Sequence, residues 1–177
     1  MPTSNGMTVL VIGGGPSKVR AAGVWDEAHT TISANFSDMN ADYLATVDHV
    51  ALSRLHKMPI PPMQVRRIVT TVDAADCVPG DYHETIKLET DPPAVRQDEQ
   101  GSIYWLPGLF DPGRYMRCGI SGVFAVQVAL NMLHAKRVIM AGFEGGPGYF
   151  LKQAMALCVI MRTVKGVTFD ILGGSDG

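Results

Sequence analysis

Two short stretches hold the residue types that chemistry would need. Gly13-Gly14-Gly15-Pro16-Ser17 directly follows the apolar run Val9 to Ile12, and Gly119-Ile120-Ser121-Gly122 directly precedes an apolar helical run. A glycine turn between a buried strand and a helix lets backbone N–H groups approach an anion with no Cβ in the way, and the helix dipole favours negative charge there. Both turns therefore point to a phosphorylated ligand, a nucleotide above all. Two common phosphate motifs are not met. Lys18 stands where a dinucleotide fingerprint needs its third glycine, and no acidic residue closes a plausible second strand. A P-loop needs Gly-Lys-Ser or Gly-Lys-Thr, and neither occurs.

These turns must be held by a sheet. Short apolar runs alternate with helical patterns along the chain, which is the signature of βαβ units. Strands are expected over Thr8 to Ile12, Thr30 to Ala34, Tyr43 to Val47, Val65 to Val72, Arg137 to Ala141 and Val167 to Leu172. Helices are expected from Ser17 to Glu27, from Asp48 to about Lys57 before the Pro59, Pro61 and Pro62 cluster, from Ser121 to about His134, and from Gly148 to about Lys165. Tyr82 to Leu88 alternates like an exposed strand, and Ile103 to Leu106 reads as another short one. The fold class that follows is α/β: a three-layer α/β/α sandwich with a Rossmann-like, mainly parallel sheet. A single nucleotide-binding domain over residues 1–177 is expected, with an irregular insertion at about 76–115.

Composition narrows the function classes. The chain has 177 residues, 46% apolar and 18% charged, enough to bury a real core. Fifteen basic and 17 acidic residues give a net charge of −2 with no long run of one sign, which argues against a nucleic-acid footprint. Arg66-Arg67 is the one local basic pair singled out. Cys77, Cys118 and Cys158 are widely spaced and contain no CxxC pair, so neither a disulfide framework nor a zinc site is indicated. A reducing cytoplasm is the expected location, because Met1 to Met7 has no basic region and a signal peptide needs a longer apolar run. Tyr149 to Val164 contains Lys152, Gln153 and Arg162 and falls short of the roughly 20 residues of a bilayer span. No integral membrane segment is therefore expected.

In an open α/β sheet the ligand crevice lies beyond the carboxyl ends of the strands. The candidate site residues are those at such ends: Gly13, Gly14, Gly15, Pro16 and Ser17; Asn35 with Ser37; Asp48 with His49; Ser121 with Gly122; and Gly142 to Gly146, including Glu144.

The Gly-x-Gly-Pro-Ser turn after the first strand, joined to a Ser-Gly helix start and a later strand ending in Gly-Phe-Glu, resembles the bacterial sialyltransferases of glycosyltransferase family 42. It more distantly resembles the 6-hydroxymethylpterin diphosphokinase-like proteins. In the sialyltransferase family the turn reads Gly-Asn-Gly-Pro-Ser, the second strand ends in Asn, and the later segments read Ile-Thr-Ser-Gly-Val-Tyr and Leu-Ser-Gly-Ile-Asp-Phe. The counterparts are Gly13 to Ser17, Asn35, Gly119-Ile120-Ser121-Gly122-Val123-Phe124, and Met140-Ala141-Gly142-Phe143-Glu144. The likeness runs in order from Met7 to Leu172, with the middle third poorly matched. It implies a CMP-linked sugar as donor, with Gly13 to Ser17 near the phosphate and Asn35 and Ser121 holding the nucleotide. It also implies inverting glycosyl transfer with no metal or other cofactor required.

The chain departs from that pattern where the family carries a lid and a general-base histidine. Only Gly145 to Gly148 separate Glu144 from Tyr149, so the lid and its histidine are absent, and Gly14 replaces the family Asn. By position His49 is the best replacement base, with Asp48 beside it as an orienting carboxylate. The alternative is a catalytically inactive nucleotide-binding or assembly module. Loss of the lid would uncover apolar surface, for which a homo-oligomer interface is the expected place.

Each candidate also has a plain structural explanation. Ser17, Asp48 and Ser121 sit where helix N-caps are expected, and Asn35 suits a left-handed turn. The glycines could serve close strand-on-helix packing, and His49 could be a surface residue of a first helical turn. Met132, Met140, Met155 and Met161 fit as core filler, and Tyr104 with Trp105 as an edge-strand pair. Nothing in the sequence around Cys118 activates it as a nucleophile.

Overall fold

Runs of Val, Ile, Leu and Met with no interposed charge become strands buried on both faces, as a parallel sheet covered by crossovers requires. The computed structural model describes residues 6–37, 40–55, 67–79, 84–91, 95–97, 103–105, 113–116, 119–144 and 147–173. Strands β1 (Thr8–Ile12), β2 (Thr30–Ala34), β3 (Tyr43–Ala45), β4 (Arg67–Thr71) and β5 (Thr85–Leu88) follow one another across the sheet. Then β6 (Val95–Gln97) and β7 (Ile103–Trp105) pair antiparallel in a separate two-stranded ribbon, whereas β5, also inside the span 76–115 expected to be an irregular insertion, pairs parallel with β4 in the main sheet. The chain returns through helix α2 (Ser121–Gln127) to β8 (Arg137–Ala141) on the other side of β1, and helix α3 (Pro147–Thr163) leads to β9 (Thr168–Leu172). The seven-stranded sheet has the order β5-β4-β3-β2-β1-β8-β9, and every pairing in it is parallel. Its order reverses between β1 and β8, so the two strands leave a crevice at their carboxyl ends.

Two faces are covered, giving the three-layer α/β sandwich the sequence implied. Val9, Val11, Ile32 and Met140 point into one core with Val123 and Phe124 of α2 and Leu157 and Ile160 of α3. On the other face Leu10, Ile12 and Ile139 pack with Ala21, Val24 and Trp25. Leu44 and Ile68 pack there with Leu52 of α1 (His49–Ser53) and Leu55 just beyond it. Each fully buried Leu, Ile or Phe contributes about 1.5–3 kcal/mol. The edge strands β5 and β9 are only partly covered.

Three expected elements differ. The first helix is a 3-10 segment over Pro16–Gly23 followed by a short 3-10 turn over Trp25–Glu27. Its Lys18 N–H donates to Gly15 O at 3.1 Å, an i to i+3 bond, and the greater rise of this helix suits a crossover between adjacent strands. Strand β3 ends at Ala45, although Thr46 still donates its N–H to Val69 O of β4 at 3.1 Å; its hydroxyl accepts the Asp48 N–H at 3.0 Å as the chain turns into α1. The long helix before β8 widens to a π turn over Val128–Met132, where the Asn131 side chain accepts from Gly113 N and donates to Arg114 O. Arg67 of the basic pair donates to Glu84 at 2.5 Å and to Tyr43 Oη at 3.1 Å, while Arg66 lies outside the described residues. The proline cluster at Pro59, Pro61 and Pro62, Cys118, Gly145 and Gly146 lie outside them as well.

Candidate functional site

At the switch point lies a cleft of about 1020 Å³. The β1 turn supplies Gly13, Gly14, Gly15, Pro16 and Lys18; the end of β2 supplies Ala34, Asn35, Phe36 and Ser37; and Asp48, Val50, Ala51 and Arg54 come from α1 and its flanks. Gly122 of α2, Gly142 and Glu144 after β8, and Gln153 of α3 close it. The two glycine motifs, distant in sequence, therefore face one cavity.

The glycine turn is held by backbone against backbone. Gly13 N–H donates to Ala141 O at 2.7 Å and Gly15 N–H to Gly142 O at 2.8 Å. Ser17 N–H donates to Glu144 Oε1 at 3.0 Å, and the Ser17 hydroxyl accepts from Gly142 N at 2.8 Å. This corrects one sequence expectation. The N–H groups of Gly13, Gly15 and Ser17, expected to face a phosphate, are satisfied within the protein, and the Glu144 carboxylate occupies the place of an anion at the start of the 3-10 segment. A carboxylate there meets the unsatisfied N–H groups and positive dipole end that any anion would. Gly14, exposed at the mouth of the cleft, keeps an N–H with no partner among the described residues.

Asn35 adopts the left-handed conformation, with φ of 57°, which its short side chain tolerates better than a branched one would. Its Oδ1 accepts from the Thr46 hydroxyl, joining the ends of β2 and β3 at the cleft wall. Ser121 is buried outside the cleft lining. Its Oγ accepts from Val47 N at 3.2 Å and lies 3.3 Å from the Thr46 hydroxyl, so it docks α2 onto the end of β3. Asp48 caps α1, accepting from Val50 N at 2.9 Å and Ala51 N at 3.1 Å on one oxygen. His49, the expected replacement base, does not line the cleft; its Nδ1 sits 3.7 Å from Cys77 Sγ. Val50, Ala51 and Arg54 share the cleft-facing side of α1, and at about 100° per residue His49 falls on the side away from them.

Residues without a sequence motif complete the cavity. Lys18 and Arg54 bring positive charge to it, and neither has an acidic partner among the described residues. Gln153 is buried and donates from Nε2 to Phe143 O, while its Oε1 sits 2.9 Å from where a Cβ on Gly122 would lie. Gly122 thus lets α2 and α3 approach. Thr46 is the hub that touches Asn35, Asp48 and Ser121, and nothing in the sequence marked it beyond its place at a strand end. The signal that could have found Lys18 and Arg54 is their spacing, one turn past Gly15 and six residues past Asp48.

The fold and this cleft define an α/β protein with an open cleft at a switch point of its parallel sheet. The chain matches no protein-family model and no curated protein. Among the described residues no helix is long and apolar enough to cross a membrane, and no group of three potential metal ligands occurs.

Proposed function

We propose that the chain binds a nucleotide or nucleotide-sugar in this cleft, in the manner of the sialyltransferase-like proteins its motifs resemble. The observation that carries the reading is the meeting of Gly13 to Pro16 with Gly122 in one cavity that also holds Lys18 and Arg54. With the inner amides of the turn engaged, the phosphate falls to Lys18, Arg54 and the Gly14 N–H, and Asn35 borders the rest of the ligand. Glu144 keeps the phosphate out of the turn itself by like-charge repulsion.

Binding without turnover is the form of this function favoured by the position of His49. With that imidazole beside Cys77 and outside the cleft lining, the expected base is not placed to deprotonate a hydroxyl there; Asp48 lines the cleft, with one carboxylate oxygen used to cap α1.

Calorimetric titration with CMP, CDP and UMP tests the reading, repeated at low and high salt and with Lys18→Ala and Arg54→Ala. Salt-sensitive binding that each substitution weakens roughly tenfold is expected for loss of one charge-assisted contact. Absence of binding at millimolar nucleotide overturns it.

A further inference from the structure

We infer that Cys77 is a reversible modification site, a thiol that attacks small disulfides with His49 as its base. The inference is independent of what the cleft binds.

Cys77 ends a 3-10 turn over Ala75–Cys77 that follows β4, and His49 opens α1. His49 Nδ1 sits 3.7 Å from Cys77 Sγ, a contact distance that suits a hydrogen bond with the larger sulfur atom. Both partners stand on anchored backbone. Cys77 N–H donates to Ala74 O and Val78 N–H to Ala75 O, each at 3.0 Å, while Ala74 is wholly buried and Ala75 nearly so. Helix α1 is held by the Asp48 cap and by Leu52, which is wholly buried. Cys77 packs on the cluster of Leu44, Leu52, Leu55 and Ile68 yet is only partly covered, and His49 is exposed. A reagent in solvent therefore reaches the sulfur while the imidazole stays in contact with it.

A thiol on its own is mostly protonated at neutral pH and reacts slowly. Here a neutral imidazole takes the thiol proton on Nδ1, and the N–H so formed donates back to the thiolate. The thiolate attacks one sulfur of a disulfide RSSR. A bond forms between Cys77 Sγ and that sulfur, the RS–SR bond breaks, and the leaving thiolate takes the proton from His49 to depart as RSH. The Cys77 sulfur is thereby oxidised and the departing half of the disulfide reduced, and excess thiol runs the exchange backwards. Cys158 provides the contrast, because it is more exposed than Cys77 and has no polar partner among the described residues. Exposure alone would make Cys158 the faster thiol. The imidazole makes Cys77 faster by roughly tenfold, and not by more because a thiolate stabilised in this way is a weaker nucleophile per ion.

Exchange of the full chain with hydroxyethyl disulfide at neutral pH, followed by mass spectrometry of its peptides, reads each cysteine separately. Cys77 should be modified roughly tenfold faster than Cys158, and dithiothreitol should restore the free thiol. His49→Ala and His49→Gln should each slow Cys77 roughly tenfold and leave the rate at Cys158 unchanged. Removing the imidazole uncovers the sulfur, so a merely covering role for His49 predicts a faster reaction in His49→Ala. Gln keeps a polar side chain in place but cannot take the proton. Melting curves establish that both variants are folded. Cys158 reacting as fast as Cys77 in the native chain overturns the inference, as does a Cys77 rate that is unchanged or raised in either His49 variant.

Discussion

Gly13 and Gly142 are mutually exclusive of side chains: a Cβ on Gly13 would collide with the carbonyl oxygen of Gly142, and a Cβ on Gly142 with the carbonyl oxygen of Gly13. The ends of β1 and β8 thus touch backbone to backbone at the switch point, and this contact forms the floor of the cleft. Gly142 also has φ of 72°, a conformation in which most side chains are strained. Gly142→Ala should destabilise the protein by about 3 kcal/mol through combined crowding and backbone strain. Gly14→Ala, with nothing within 4 Å of the added carbon, should change stability by less than about 0.5 kcal/mol. Urea denaturation of the two variants checks the contrast, and equal midpoints would show that the close approach does not hold.

Gln127 makes a second local contact that stability should report. Its Oε1 accepts from Met116 N at 2.6 Å and its Nε2 donates to Met116 O at 3.2 Å, like one rung of a sheet. Gln127 is wholly buried and Met116 nearly so. Gln127→Leu keeps the volume but leaves both main-chain groups unpaired, and should cost about 2–4 kcal/mol in chemical denaturation. A loss below 1 kcal/mol would mean that other groups take over the Met116 pairing.

Asp48 separates capping from chemistry. Asp48→Ala should cost about 1 kcal/mol by removing the α1 cap, whereas Asp48→Asn should retain nearly all of the stability because Asn caps equally well. Nucleotide affinity should likewise survive Asp48→Asn. A large affinity loss in a fully stable Asp48→Asn protein would return the carboxylate to the binding chemistry.

Tyr115 should set part of the alkaline limit. It packs against Phe124 with ring centroids 6.3 Å apart, and burial raises its phenol above the ordinary value of 10.0. The folded protein therefore keeps this proton at a pH where the unfolded chain has lost it. Its contribution is fully present below pH 10 and disappears as pH rises through the folded value, so unfolding is increasingly favoured above that point. Tyr115→Phe should lose stability less steeply than the native protein between neutral and strongly alkaline pH, measured by denaturant titration at each pH. Parallel curves would contradict it.

Much of the architecture was legible in the chain because a buried parallel strand must be apolar on both sides. Thr8 to Ile12, Thr30 to Ala34 and Arg137 to Ala141 are strands over the spans their residues suggested. The glycine turns were legible for a related reason, since few other residues permit such close backbone approach. What neighbouring side chains do with the remaining hydrogen bonds was not legible. The N–H groups beside Gly15 look in sequence like an open anion cradle, yet Glu144, 127 residues beyond Ser17, fills that position. His49 follows a strand end as a base would, but it lies on the side of α1 away from the cleft-lining Val50, Ala51 and Arg54, beside Cys77.

The sequence by itself determined the layers and the strand-end positions of the glycine motifs, because these depend on local periodicity and on backbone geometry; it left Asp48 open between a cap and an orienting carboxylate. The tertiary structure alone decided that the reversal between β1 and β8 brings Gly13 to Pro16 and Gly122 to one cavity, that Lys18 and Arg54 join them there, and that Glu144 guards its base. Those relations arise from side chains far apart in sequence competing for the same few donors and acceptors, and that competition is settled only when the sheet is assembled.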